Sequence, residues 1–186
     1  MGLEKWAEEV ARERLASTLP RRWTHVEQVA AKAGRFAIEL GEDGELLHAA
    51  AWLHDIGYAP ELALTSFHPL DGARHLQELG APARLVDLVA HHSASVAEAA
   101  VLGLDEELRP YADEQTLARD LLWLSDMTTG PAGQSMTFAE RMAELRERYP
   151  ADHYVVRALD AGMLLRHQAV DRAQGWIDRV GVLAQV

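Results

Sequence analysis

Apolar residues recur every three or four positions along most of this chain, the spacing of helices that bury one face. Leu3 to Ser17 reads as a first helix, with Trp6, Val10 and Leu15 along one stripe and Pro20 placed to end it. From Thr24, a residue suited to capping a helix start, Val26, Val29, Ala30, Ala33, Ala37 and Leu40 keep the same period until Gly41. The next segment differs: after Asp43, Leu46, Leu47, Ala49, Ala50, Ala51, Trp52, Leu53 and Ile56 leave almost no polar face. That pattern predicts a helix buried all round, stopped by Gly57 and Pro60. Further helices are expected over His68–Leu79, Pro82–His92, Asp113–Met127, Thr137–Tyr149 and Asp152–Val180, with Gly103–Asp113 as a loop. Neither strand-like alternation nor an internal repeat is visible. The expected class is all-α, a single-domain helical bundle, with residues 1–20 as an N-terminal helix packed on a domain of residues 21–186.

Composition narrows the chemistry. A chain of 186 residues fits one hydrophobic core. Its net charge of −11 repels a phosphate backbone, which argues against duplex nucleic acid as a partner. The absence of cysteine removes disulfides, thiolate metal sites and cysteine nucleophiles together, leaving His and carboxylate as metal ligands. Glu4, Lys5, Glu8 and Glu9 stand where a signal peptide needs an apolar core, and no run approaches the roughly 18 apolar residues of a membrane span. A cytoplasmic protein without membrane contact is therefore expected.

His54 and Asp55 lie near the end of the most apolar segment. An ionised carboxylate buried beside an imidazole there is costly unless a cation compensates it, and a divalent ion does so directly. Neighbouring helical residues point about 100° apart, so the pair grips one ion only from a helix end, with other helices completing the set. His25, early in the second helix, and Asp126, after the apolar run Leu121–Leu124, are placed to do so.

A lone His25, then Trp52-Leu53-His54-Asp55-Ile56-Gly57, then a distant Asp126 resembles the HD-domain superfamily of metal-dependent phosphohydrolases, from about Arg21 to Asp126. The resemblance implies a helical fold and one divalent ion held by His25, His54, Asp55 and Asp126, with His54 and Asp55 at the catalytic centre. His68 in Phe67-His68-Pro69 and His91-His92 after Val89-Ala90 resemble the histidine-rich, dinuclear branch. There Asp55 would bridge two ions, with His68 and His91 or His92 on the second. Adjacent residues on a helix diverge, so the two are not expected to serve equally, and His92 is taken as the first choice.

Two departures bear on substrate. Many superfamily members carry a lysine shortly after the His-Asp pair, where this chain reads Tyr58-Ala59-Pro60-Glu61. The Gly-Tyr-Pro signature of cyclic-di-GMP enzymes is replaced by Ser93-Ala94-Ser95-Val96 after His91-His92. Arg141 is a candidate substitute phosphate binder. The Thr128-Thr129-Gly130-Pro131 loop is a candidate substrate border in which Thr129 donates to phosphate. His48 turns away from His54, and His75, His153 and His167 receive no role.

Mixed His and carboxylate ligands suit one or two divalent transition ions, iron or manganese first, with zinc, nickel, cobalt and magnesium as alternatives. The leading expectation is hydrolysis of a nucleotide or other small phosphoester by a metal-activated water. The alternatives are a diiron oxygenase of the same fold and a non-catalytic, metal-stabilised ligand-binding protein. The apolar C-terminus, Trp176, Ile177, Val180, Val182, Leu183 and Val186, suggests a homodimer.

Overall fold

The computed structural model describes residues 2–181, and these are all-helical, with a lone Thr129–Ser135 bridge as their only extended pairing. The helices are α1 (Leu3–Leu15), α2 (Pro20–Ala37), α3 (Glu42–Leu53), α4 (His68–Glu78), α5 (Ala83–Ala90), α6 (Ser95–Leu102), α7 (Asp105–Leu108), α8 (Leu117–Met127), α9 (Phe138–Arg148), α10 (Tyr154–Ala161) and α11 (Met163–Val180). Short 3₁₀ turns follow α3 at Ile56–Tyr58 and α5 at His92–Ala94.

Helix α3 is the axis of the bundle, packed against α1, α2, α5 and α8. Leu47, Ala49, Ala50, Ala51 and Leu53 are fully buried, because alanines on several faces let four helices approach one another closely. The all-round apolar pattern thus becomes the central helix. Helix α1 belongs to the same core, burying Ala7, Ala11 and Leu15 completely.

The helix boundaries depart from the sequence reading in informative places. Pro20 opens α2 instead of closing α1, since a proline in the first turn lacks only an N–H that would have no partner there. Thr24 consequently lies inside the helix, its hydroxyl donating to the Pro20 carbonyl at 3.1 Å. Helix α3 starts at Glu42, before Asp43, after Gly41 at φ 60°. Helix α8 begins at Leu117, capped by Thr116. The expected 152–180 helix breaks at Gly162, where a Cβ would lie 2.5 Å from Arg166 Nη1 and 3.0 Å from Ala97 Cβ. Helices α6 and α7 were absent from the expected set, α6 being too evenly apolar to show a polar face.

Residues 83–102 are long and apolar enough to cross a membrane by length and composition, against the expectation that no run approaches this. Most of the stretch is nevertheless packed inside the fold, and Ser93 and Ala94, at φ 53° and 60°, break it. At the C-terminus Ile177 is buried and Val180 half exposed, while Val182, Leu183 and Val186 lie outside the described residues.

One glycine holds the two halves of the later site together. A Cβ on Gly57 would lie 2.0 Å from the His68 carbonyl oxygen and 2.6 Å from the Gly72 nitrogen, backbone atoms that have no room to yield. Only glycine lets the turn after Asp55 press against the start of α4 and bring His68 beside it. Gly57→Ala is therefore expected to cost about 1–3 kcal/mol, the range of an overpacked core, read as a lowered urea midpoint.

Candidate metal centre

Five chain segments deliver six side chains to one buried point. His25 comes from α2, His54 and Asp55 from the end of α3, His68 from the first residue of α4, His92 from the 3₁₀ turn after α5, and Asp126 from the last turn of α8. His25, His54 and Asp126 place one ligand atom each within 4.8 Å of one another, and so do Asp55, His68 and His92.

Asp55 joins the two groups. Its Oδ2 lies 3.7 Å from His25 Nε2 and 3.4 Å from His54 Nε2, while its Oδ1 lies 3.3 Å from His68 Nε2 and 3.9 Å from His92 Nε2. One carboxylate thus turns one oxygen to each group. His25 Nε2 is 3.1 Å and His54 Nε2 4.0 Å from Asp126 Oδ1, and His68 and His92 face each other with their Nε2 atoms 3.0 Å apart. Two nitrogen or oxygen atoms bound to one ion at about 2.1 Å stand roughly 3.0–3.4 Å apart in octahedral or tetrahedral geometry; the four shorter spacings match ligands around a cation, and the other three, 3.7–4.0 Å, are wider.

The outer nitrogens set the inner ones. His25 Nδ1 faces the Gly130 carbonyl at 3.0 Å, His54 Nδ1 the Ala51 carbonyl at 2.8 Å, and His92 Nδ1 the Val89 carbonyl at 2.7 Å. A carbonyl only accepts, so each Nδ1 carries a proton, and His54 and His92 turn an Nε2 lone pair inward, as in metal-ligating histidines. His54 Nε2 is buried without a hydrogen-bond partner. His25 has an acceptor at both ring nitrogens, an arrangement that needs an imidazolium or a cation between His25 and Asp126. The orphaned nitrogen and the paired acceptors fit divalent cations.

Charge accumulates here in the right sense. Burial pushes the Asp55 carboxyl up, but Arg22 and the surrounding histidines outweigh it and hold Asp55 well below the usual carboxylate range. Burial likewise opposes ionisation of Asp126, and its contacts with His25 and His54 bring it down. Burial drives His68 and His92 below ordinary histidine, towards the neutral form that binds metal.

Above the cluster lies a cavity of about 160 Å³, roofed by α9 and α10. It meets a wider groove of about 620 Å³ with which it shares Arg22, Tyr58 and Arg148. Arg22 Nη1 donates to Asp55 Oδ2 at 2.6 Å, and its guanidinium sits 4.0 Å from the centre of the Tyr58 ring, which in turn stacks on His68. Ser93, held at positive φ, donates its hydroxyl to Asp126 Oδ2. Strain of this kind, of order 1–3 kcal/mol per residue, persists where packing enforces it.

The structure brings His25, His54, Asp55, Asp126, His68 and His92 together, and Arg141 onto the cavity wall. It does not bring His91, whose Nε2 faces the Tyr111 carbonyl at 2.9 Å because the residue sits on the other side of the turn. Nor does Thr129 reach the cavity: its hydroxyl donates back to the Ser125 carbonyl at 2.7 Å and is buried. Thr128 is similarly committed, to the Leu124 carbonyl and Lys32. His48 contacts Glu4 and Trp52, away from the cluster as expected. Sequence reasoning missed Arg22, Tyr58, Ser93, Glu98 and Arg166. Arg22 stands one turn before His25 and so shares its face, a signal hidden while Pro20 was read as a stop.

These features define a helical domain built around a buried histidine–aspartate centre fit for divalent metal. The chain belongs to the HD domain family, whose model matches residues 22–127. That family comprises, in general, metal-dependent hydrolases of the phosphohydrolase superfamily. The chain is also similar to ribonuclease Y of Thermus thermophilus, 40% identical over 68 residues, and to ribonuclease Y of Deinococcus radiodurans, 35% identical over 68 residues. Each match covers 37% of this chain and 12% of the relative. No solved structure matches.

In the metal-free protein Arg22 is the cation beside Asp55. Arg22→Ala should destabilise that form by about 2–3 kcal/mol, and saturating divalent metal should recover most of the loss in a thermal melt. A loss that metal leaves untouched would mean that Arg22 matters through packing alone.

Proposed function

We propose that this protein hydrolyses a small phosphoester, with His25, His54, Asp55 and Asp126 holding one divalent cation and Asp55, His68 and His92 a second. The observation that carries the reading is the position of Asp55, one oxygen towards each histidine group, beneath a cavity lined by arginines. Iron or manganese suits this mixture of imidazole and carboxylate best.

Divalent ions bound there supply Lewis-acid charge to the phosphoryl oxygens and lower the pKa of a water. In the overall reaction a bond forms from water oxygen to phosphorus and the bond from phosphorus to the leaving oxygen breaks. One water proton ends on the leaving oxygen, giving an alcohol and inorganic phosphate. The neutral histidines and ionised aspartates keep the centre ready for cations. Arg22 has five N–H donors, of which Nη1 bonds Asp55, and the others suit phosphoryl oxygen. It takes the place of the lysine missing after Asp55. Glu98 also lines the cavity, where burial raises its carboxyl, and is the group placed to hand a proton to the leaving oxygen.

The likeness to ribonuclease Y raises an RNA phosphodiester as a second substrate. Against it stand the net charge of −11 and a cavity too small for chain on both sides of a phosphate, which favour a terminal phosphoryl group.

Protein prepared without chelator should carry about two equivalents of transition metal by elemental mass spectrometry, falling to about one in His92→Ala, and should release phosphate from small monoesters. Metal-free protein after reconstitution, or oxygen uptake in place of phosphate release, would overturn the reading. Glu98→Gln should lower kcat about a hundredfold with little change in KM, at the low end of general-acid effects.

A further inference from the structure

Two of the arginines facing the cavity form no hydrogen bond or ion pair with the six clustered side chains. Arg141, on α9, is 4% exposed, and its Nε is buried without a hydrogen-bond partner. Its Nη1 is paired with Glu144, but Glu144 also takes Arg148, so one carboxylate answers two guanidinium groups. Arg166, on α11, is 6% exposed and donates to three carbonyls, those of Ser93, Ala158 and Leu159. Carbonyls orient a guanidinium without neutralising it; the fields of Glu98 and Asp126 reach it, yet burial still draws Arg166 down to about 10. Buried cations held with incomplete compensation beside an unsatisfied donor make a site for an anion.

The scissile phosphoryl group already has its partners in the metal cluster and Arg22. The cavity of about 160 Å³ is well below the roughly 300–1,000 Å³ of pockets that enclose drug-sized ligands, yet has space beyond one phosphoryl group. We infer that the substrate presents two anionic groups to this cavity, the scissile phosphoryl at the cluster and an adjoining carboxylate or second phosphate at Arg141 and Arg166. The inference rests on the phosphohydrolase reading and adds a specificity device to it. The remainder of the substrate extends into the groove shared through Arg22, Tyr58 and Arg148.

The test compares hydrolysis of ethyl phosphate, which has no second anion, with 2-phosphoglycolate and with inorganic pyrophosphate. These supply an adjoining carboxylate and an adjoining phosphate respectively. At least one of the two is expected to exceed ethyl phosphate in kcat/KM by about tenfold or more, the worth of a charge-assisted hydrogen bond. Arg141→Gln should bring that ratio to within about threefold of unity, and Arg141→Lys should restore part of it, a rescue that a purely structural role would not give. Calorimetric binding of the preferred compound's non-hydrolysed analogue, phosphonoacetate or methylenebisphosphonate, should weaken by the same factor in Arg141→Gln. Equal rates for all three substrates in the wild-type protein, or a preference that survives Arg141→Gln, would overturn the inference. No hydrolysis of any of them by metal-loaded protein would instead strike the phosphohydrolase reading, while the binding measurement would still judge the second-anion site.

Discussion

Everything around the centre follows from burying one carboxylate that must serve two sides. Asp55 sits just past the C-terminal end of the central helix α3 and is itself buried, so that solvent cannot stabilise its charge. Its oxygens are met instead by Arg22 and by histidines from α2, α3, α4 and the turn after α5. Most of those residues lie within a turn or two of where a helix begins, ends or breaks. The helix ends therefore converge on Asp55, and the loops between them are shaped by that convergence. Gly57 without a side chain and Ser93 in a left-handed conformation are both consequences of it.

The general form of this arrangement was legible in the chain. A helix with no polar face had to be central, and a His-Asp pair at its end had to have a compensating cation. The chain turns between His91 and His92, which brings His92 beside Asp55 and His68 and sends His91 to the Tyr111 carbonyl. What could not be read was how far a helix extends past a proline. Pro20 was taken as a terminus, yet it starts α2 and carries Arg22 onto the face of His25. That one boundary concealed the cation that pairs with Asp55. Arg166 was invisible for another reason: it sits 40 residues after Asp126 in sequence, and only the break at Gly162 swings α11 back against Ser93.

Threonine hydroxyls after Asp126 illustrate the opposite error. A glycine-bearing loop with two threonines resembles a phosphate border in sequence, but hydroxyls within reach of a helix end satisfy its last carbonyls first. Thr128 and Thr129 do so with Leu124 and Ser125, which stabilises the end of α8 and so fixes Asp126. The cavity itself is lined by arginines, whose charge cannot be satisfied by backbone alone.

His25 and Asp126 meet across 101 positions of chain, and that separation constrains how the protein comes into being. During synthesis from the N-terminus the first four histidine-bearing segments exist before α8 does, so an incomplete ligand set is exposed first. Asp126 arrives after the other clustered side chains, and its contact with His25 closes a loop spanning more than half the chain. Cross-links over long loops remove the most freedom from an unfolded chain. A cation held between His25 and Asp126 would thus add a long-range clasp to a helix that the apolar packing of Leu121, Leu122 and Trp123 already docks against α2, α3 and α11.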